Sequence, residues 1–216
     1  MFKKFREPVS GLTHLFGVLA SIVGLVVLIV HSVIQGDPWH IVTFSIFGAS
    51  LILLYTASSI YHLAWVSEKA IRVLRRIDHS MIYVLIAGSY TPICLNALKG
   101  VWGWSIFGTI WGLAITGILV KNFWFNAPRW LSTTFYILMG WLVIIAIYPL
   151  GKVFTGSAMA WLFAGGIAYT IGGLIYATKW PKITTKNFGF HEIFHLFVLV
   201  GSFCHYWLML RYILYI

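Results

Sequence analysis

The chain has 216 residues, of which 60% are apolar and only 9% are charged. Because a soluble domain usually carries about a quarter charged residues, this composition excludes an ordinary water-soluble globule. The formal net charge of +10 would suit a nucleic-acid partner, but the positions of the basic residues argue against one.

The apolar residues are concentrated in seven long blocks. A block of roughly 20 apolar residues crosses a bilayer as an α-helix, since each residue advances about 1.5 Å along the helix axis. The blocks run approximately over residues 13–34, 41–63, 78–98, 101–120, 131–149, 157–178 and 191–214. We therefore predict an all-α integral membrane protein in which residues 1–216 form one seven-transmembrane helix bundle. The first block is too long for the apolar part of a cleaved signal peptide, so we expect it to remain as the first span.

Most basic residues fall on one side of this predicted bundle, in the N-terminal tail and in the loops after spans two, four and six. They are Lys3, Lys4, Arg6, Lys69, Arg72, Arg75, Arg76, Lys121, Arg129, Lys179, Lys182 and Lys186. The other side holds only Lys99, Lys152 and Arg211. This positive-inside bias predicts a cytoplasmic N-terminus and, with seven spans, a C-terminus outside. The expected partners are membrane lipids, including anionic headgroups near the basic loops, and not nucleic acid.

Small residues recur within two of the predicted spans. Gly108 and Gly112 are four residues apart in span four, and span six carries a run of glycines and alanines from Ala164 to Gly173. In lipid, small side chains let helix backbones approach each other closely. We therefore expect these residues to lie in helix contacts.

The predicted orientation gives each polar side chain a depth in the membrane. Ionisable residues within a span are costly, so they are candidates for function. Those expected near the cytoplasmic end are His14, His62, Asp78, His79, His191 and His195. His31 and His40 flank the outer end. His205 follows His195 by ten residues, about 15 Å along the helix axis, so we do not expect both to bind one metal ion.

The spacing of these residues points to a metal site. His191 and His195 are four residues apart and share a helix face, as do Ser58 and His62. If spans two, three and seven are neighbours, three histidines and Asp78 converge near the inner leaflet. Three histidines with one open position are the ligands of a catalytic zinc site. Asp78 could then orient a water molecule at the metal or accept its proton.

Each of these residues also has a simpler interpretation. A single histidine at a helix end is usually an interfacial polar residue, and this applies to His14, His31 and His40 taken alone. Asp78 could simply complement the helix dipole near an N-terminus. Because four such features share one depth, we favour the metal site.

Residues 191–195 also read H-E-x-x-H, the signature of zinc proteases, in which Glu192 would be the general base. An intramembrane metalloprotease is therefore an alternative. It would also need an edge that binds the peptide substrate, and the sequence offers no clear candidate for one.

Several short motifs share an order and spacing with a known family. They are SSIYH at 58–62, DH at 78–79, AGSYTP at 87–92, and histidines at 191 and 195. Together they resemble the bacterial hemolysin III proteins, the prokaryotic branch of the progestin and adipoQ receptor family. The stretch from Glu7 to His14 is similar to the N-terminal signature of that family, although Ser10 stands where an asparagine is common. The resemblance covers essentially the whole chain.

The resemblance implies a seven-helix fold with the N-terminus inside, in a bacterial inner membrane. It implies zinc bound by His62, His191 and His195. It places Asp78 near a water molecule at the metal, with Ser58 close by, and we expect the neighbouring positions to include Glu7, His14 and His79. In the family pattern the position of Glu192 varies, which weakens the protease interpretation.

Three functions from different classes are compatible with these features. The wider superfamily includes alkaline ceramidases, so the first is a zinc-dependent hydrolase that cleaves a lipid amide or ester and serves membrane-lipid homeostasis. The second is a non-enzymatic sensor or receptor-like protein that zinc stabilises. The third is a pore-forming haemolysin, which the family name suggests. A pore would need polar residues through the midplane, where this sequence is mostly aliphatic, aromatic or small.

Overall fold

The computed structural model describes residues 5–35, 37–124, 128–183, 185 and 188–216. Within this part of the chain the regular structure is helical. The α-helices are α1 (Pro8–Gln35), α2 (Pro38–Leu63), α3 (Glu68–Pro92), α4 (Gly100–Phe123), α5 (Arg129–Gly140), α6 (Ile147–Val153), α7 (Gly156–Thr178) and α8 (Phe190–Arg211). A π-helical turn, Ile93–Leu98, extends α3, and two 3₁₀ segments, Trp141–Ala146 and Ile213–Tyr215, follow α5 and α8.

In the described part of the chain, seven helical segments are long and apolar enough to cross a membrane. They correspond to the seven predicted blocks, with α5, the 3₁₀ segment and α6 together forming the fifth. The prediction of an all-α, seven-span membrane protein is therefore confirmed. The orientation of the termini stays a prediction, and three of the basic residues behind it, Lys3, Lys4 and Lys186, lie outside the described residues.

The third helix begins earlier than the sequence suggested. It starts at Glu68 rather than near Asp78, so the four basic residues assigned to a loop occupy its first turns. Ser67 caps this start by accepting a hydrogen bond from the N–H of Ala70 at 3.3 Å, and Glu68 lies in the positive first turn. Hydropathy alone missed these turns because they are polar.

The helices contact each other in a closed ring. α2 packs between α1 and α3, α3 contacts α5, α5 contacts α7, and α8 packs against both α7 and α1. Fully buried apolar side chains such as Leu28, Phe44 and Phe47 fill the interior between α1 and α2. This arrangement brings the starts of α1 and α8 and the end of α2 together at one end of the bundle, which we call the histidine end.

The glycines divide into two groups. In α7, Gly172 lies so close to Phe197 of α8 that an added Cβ would be 2.9 Å from its Cβ, which confirms a packing role. The same expectation was wrong for Gly108 and Gly112, because a Cβ at either position would meet nothing within 4 Å. Their spacing created a small-residue face, but no described helix packs against it.

Gly17 provides a test of this packing. A Cβ at Gly17 would be 2.8 Å from the ring of Tyr55, whose hydroxyl donates to Ser202 at 2.7 Å and holds the ring in place. We expect Gly17→Ala to destabilise the purified protein by about 1–3 kcal/mol, measured as a lower melting temperature in detergent. Gly108→Ala is the matched control and should cause no loss of stability. Equal melting temperatures for the two variants would show that Tyr55 can move aside.

Candidate metal centre and its cavity

Three imidazoles meet at the histidine end. His62 lies at the end of α2, and His191 and His195 lie in the first turns of α8. Each offers one ring nitrogen, and these nitrogens all lie within 4.8 Å of one another. The Nε2 atoms of His62 and His191 are 3.2 Å apart. Two nitrogens on one tetrahedral zinc ion are separated by about 3.3 Å, so the spacing of this pair suits two ligands of one zinc ion.

The opposite ring nitrogens of two of these histidines are held by the start of the chain. Nδ1 of His62 hydrogen bonds with the carboxylate of Glu7, and Nδ1 of His195 lies 3.2 Å from the carbonyl oxygen of Ser10. A hydrogen bond at Nδ1 fixes the tautomer and the ring orientation of a histidine and leaves Nε2 for a metal. The expectation that Glu7 lies beside the site therefore has a clear structural basis.

The segment before α1 is anchored to the end of α2 by further bonds. The N–H of Glu7 donates to the carbonyl oxygen of His62 at 3.0 Å, and Arg6 donates to the carbonyl oxygen of Tyr61 at 2.8 Å. The guanidinium of Arg6 also lies over the ring of Tyr61, 4.3 Å from its centre. Burial raises the pKa of Glu7, but the bond to His62 and the charge of Arg6 outweigh this effect and lower its pKa below the usual value.

Glu192 has a structural role in this arrangement. One carboxylate oxygen accepts a hydrogen bond from the hydroxyl of Ser10 at 2.5 Å, and the other accepts from the N–H of Gly189 at 2.7 Å. These bonds cap the start of α8 and attach α1 to it. Because both carboxylate oxygens are engaged, the geometry argues against Glu192 as the general base of a protease.

His14 is buried beside the three histidines. Its ring stacks on His195 with a centroid separation of 3.6 Å and an angle of 7° between the ring planes, and it contacts the ring of Tyr55 edge-on at 5.0 Å. Neither ring nitrogen of His14 has a hydrogen-bond partner among the described residues. The side chain is only 3% exposed, so the interfacial interpretation favoured for His14 alone does not fit its position. The sequence pattern carried no signal for this stacking, because it joins α1 to α8.

Ser58 and Asp78 lie next to one another near His62, within range of a hydrogen bond between them and of electrostatic interaction with the imidazole. Both side chains are buried. His79 points elsewhere: its Nε2 lies 3.5 Å from the hydroxyl of Tyr176, and its carbonyl oxygen accepts a hydrogen bond from Tyr136. His79 is therefore a neighbour of the site and is not grouped with the three histidines.

A cavity of about 140 Å³ runs from this cluster into the bundle. Its wall includes Ser58, Asp78, His14, His191 and His195 at the histidine end. The rest of the wall is largely apolar or aromatic and includes Leu54, Ile82, Leu85, Ile86, Tyr136, Ile137, Trp141, Phe194 and Val198. The structure therefore joins the polar cluster to an apolar chamber of the kind that holds hydrocarbon chains.

His205 lines the same cavity, although it is not part of the metal group. Its Nε2 lies 3.3 Å from the carbonyl oxygen of Leu162, and its ring contacts Tyr169 edge-on. His31 is exposed and bonds within its own helix, to the carbonyl oxygen of Val27. His40 lies at the opposite end of α2 from His62, paired with Asp37 at 2.9 Å. None of these three belongs to the histidine cluster, as their depths predicted.

The comparisons with known proteins agree with the resemblance drawn from the motifs. The family model described as "Haemolysin-III related" matches residues 2–206. The chain is 43% identical to the "Hemolysin-3 homolog" of Bacillus subtilis (strain 168) over 212 residues, covering 98% of this chain and 96% of that protein. It is 40% identical to "Hemolysin-3" of Bacillus cereus, covering 97% of this chain and 92% of the relative. It is also 24% identical to the human "Monocyte to macrophage differentiation factor" over 97% of this chain and 85% of that protein. With this agreement along its whole length, the chain belongs to the haemolysin-III related family.

Proposed function

We propose that this multi-pass membrane protein is a zinc-dependent hydrolase that cleaves an amide or ester bond of a membrane lipid. The observation that carries the proposal is the group of His62, His191 and His195, whose nitrogens converge beside an apolar cavity. Ser58 and Asp78 lie in the wall of that cavity. Such a reaction requires side chains that bind the metal, a carboxylate that can accept a proton and a cavity that holds the hydrocarbon chain of the lipid.

The ligand set supports zinc over harder cations. Three imidazoles are borderline-soft donors that suit zinc, whereas magnesium and calcium prefer oxygen ligands. Among the residues that the structure describes, three nitrogens converge, and a tetrahedral zinc ion held by them would have one position left for water or substrate. A zinc ion bound there would polarise the carbonyl of the substrate and lower the pKa of a coordinated water toward 7.

Asp78 is the residue we assign to proton transfer. It is a buried carboxylate beside His62 and Ser58, and its side chain faces the cavity. In this position it can accept a proton from the attacking water and return it to the leaving group. Ser58, four residues before His62 on the same face of α2, can orient the carboxylate or donate to the substrate.

The position of the cluster suits a substrate that is already in the membrane. The predicted orientation places the histidine end at the cytoplasmic leaflet, where headgroups meet acyl chains. A lipid amide or ester carries its carbonyl at that depth and its hydrocarbon below it. The carbonyl would then lie at the histidines while the chain occupies the apolar part of the cavity.

A second candidate is a non-enzymatic sensor in which zinc is structural. The bonds that link α1, α2 and α8 around the histidines favour it, because a metal bound by His62 and the two histidines of α8 would tie the second and last spans together where the first span already docks. The two candidates differ in what they require of Asp78, which a structural zinc does not need. The pore interpretation has less support, because large apolar side chains such as Phe44, Phe47 and Leu51 fill the described core.

Metal content tests the ligand set. We expect about one zinc ion per purified wild-type chain and only background zinc in a His191→Ala/His195→Ala double variant, measured by elemental analysis. His31→Ala is the control, because that exposed ring bonds only within its own helix. Full zinc content in the double variant would place the metal elsewhere.

Substitution of Asp78 separates the enzyme from the sensor. We expect Asp78→Asn, which keeps the size of the side chain, to reduce turnover of an N-acyl lipid by about 10²–10⁴-fold while zinc remains bound. Lipid turnover and zinc content are measured on the same preparation in defined vesicles. Unchanged turnover, with zinc and melting temperature preserved, would exclude Asp78 as the proton-transfer group, and zinc-loaded wild-type protein without turnover would favour the structural role of the metal.

Glu7 tests the hydrogen bond that orients His62. Partners that hold a ligating histidine typically contribute 10–100-fold to metal affinity, so we expect Glu7→Gln to weaken zinc binding by about that factor. Competition with a zinc chelator gives the affinity. Glu68→Gln is the matched control, since that carboxylate is 96% exposed and pairs only with Arg72 at 3.9 Å. Equal chelator resistance in both variants would mean that Glu7 does not position His62.

A further inference from the structure

The end of the bundle opposite the histidines contains a second polar cavity. It has a volume of about 330 Å³ and is lined by Asp37, Trp39, Leu95, Asn96, Lys99, Gly100 and Trp104. Three elements meet here: the start of α2, the π-helical turn after α3 and the start of α4. The proposed hydrolase site involves none of these residues.

Asn96 is a buried polar group in the wall of this cavity. The residue is 1% exposed, and its Nδ2 donates to the hydroxyl oxygen of Thr43 at 2.8 Å. That hydroxyl donates in turn to the carbonyl oxygen of Trp39, so it can only accept from Asn96. The orientation of the amide is thereby fixed, and its Oδ1 has no hydrogen-bond partner among the described residues. Buried acceptors are usually hydrogen bonded, so a ligand with an N–H or O–H donor would satisfy this oxygen.

Asp37 adds a negative charge to the same cavity. Its carboxylate caps α2 by accepting from the N–H of Trp39 at 2.8 Å, and its other oxygen lies 2.9 Å from Nδ1 of His40. The side chain remains 39% exposed, so the carboxylate can still receive a ligand. An acceptor amide and a carboxylate together suit a cation that carries N–H donors.

Two indole rings and a lysine complete the wall. The rings of Trp39 and Trp104 are 6.2 Å apart at 78° to each other, and both are about half exposed. Such rings attract cations through their π faces and are typical of the headgroup layer of a bilayer. Lys99 has a positive φ of 51°, as does Gly100, where the chain turns from the π-helical segment into α4. Lys99 brings a positive charge to the wall that also holds the carboxylate.

We propose that this cavity binds the headgroup of an ethanolamine phospholipid. The primary ammonium donates to Oδ1 of Asn96 and to the carboxylate of Asp37, with the two indoles beside it. The phosphate oxygens accept from the ammonium of Lys99. A choline headgroup has no N–H to give to Asn96, and a glycerol headgroup has no positive charge for Asp37. The site therefore selects a primary ammonium next to a phosphate.

The test compares lipids that differ only in the nitrogen. Purified full-length protein in detergent is titrated with phosphatidylethanolamine, its N-methylated forms and phosphatidylcholine of the same acyl chains, and bound lipid is counted by native mass spectrometry. We expect affinity to fall with each methyl group and to be about tenfold weaker for phosphatidylcholine. Equal affinity across the series would overturn the proposal without bearing on the hydrolase. Free phosphoethanolamine that competes as well as the lipid would overturn the assignment to a membrane lipid.

Variants locate the contacts. Asp37→Asn keeps a good helix cap but removes the charge, and Lys99→Asn places a residue that tolerates positive φ. We expect Asp37→Asn to remove the preference for the ethanolamine lipid over phosphatidylglycerol of the same acyl chains, and Lys99→Asn to weaken the ethanolamine and choline lipids equally by several-fold. Lys152→Asn is the control, because that lysine lies over the ring of Tyr148 and outside this cavity. Folded Asp37→Asn that still prefers the ethanolamine lipid over phosphatidylglycerol would contradict the proposed contact.

Discussion

The hydrogen bonds at Nδ1 of His62 and His195 are the interactions on which the rest of the histidine end depends. An imidazole buried in a membrane bundle is costly unless both nitrogens have partners. Here Glu7 and the backbone of Ser10 satisfy the outer nitrogens, and the inner nitrogens of the cluster face one another. The segment before α1 is therefore a wall of the site, and the ring contacts of His14 follow from the docking of that segment.

The sequence predicted the helices and the candidate histidines of this site better than the contacts between the helices. Hydropathy identified seven spans, and the spacing of His191 and His195 placed both rings on one helix face, because these properties are local to one helix. The polar first turns of α3 escaped hydropathy, although Ser67 and Glu68 are recognisable as a helix start. The stacking of His14 on His195 and the bond from Ser10 to Glu192 join distant segments. Contacts between helices that are remote in the chain leave no local pattern.

Glu192 illustrates how a motif can be satisfied for structural reasons. Its position between His191 and His195 matches the protease signature, yet its carboxylate accepts bonds from Ser10 and Gly189. Asp78, which lies outside the H-E-x-x-H signature, is the acid that faces the cavity. The two acids lie on different helices and serve different needs: one holds the start of the chain, and the other lies where chemistry could occur. Membership of the haemolysin-III related family fits this division, since His62, Asp78, His191 and His195 all lie within the matched residues.

The bond between Ser10 and Glu192 spans 182 positions of the sequence. A ribosome makes the chain from its N-terminus, so the residues that hold the histidines are made first and two of the three histidines are made last. Until α8 enters the membrane, His62 and Glu7 can meet each other but lack the imidazoles of His191 and His195. The complete centre is thus a product of the final insertion step. A chain that loses its last span during synthesis could keep most of its membrane helices and still lack the whole site.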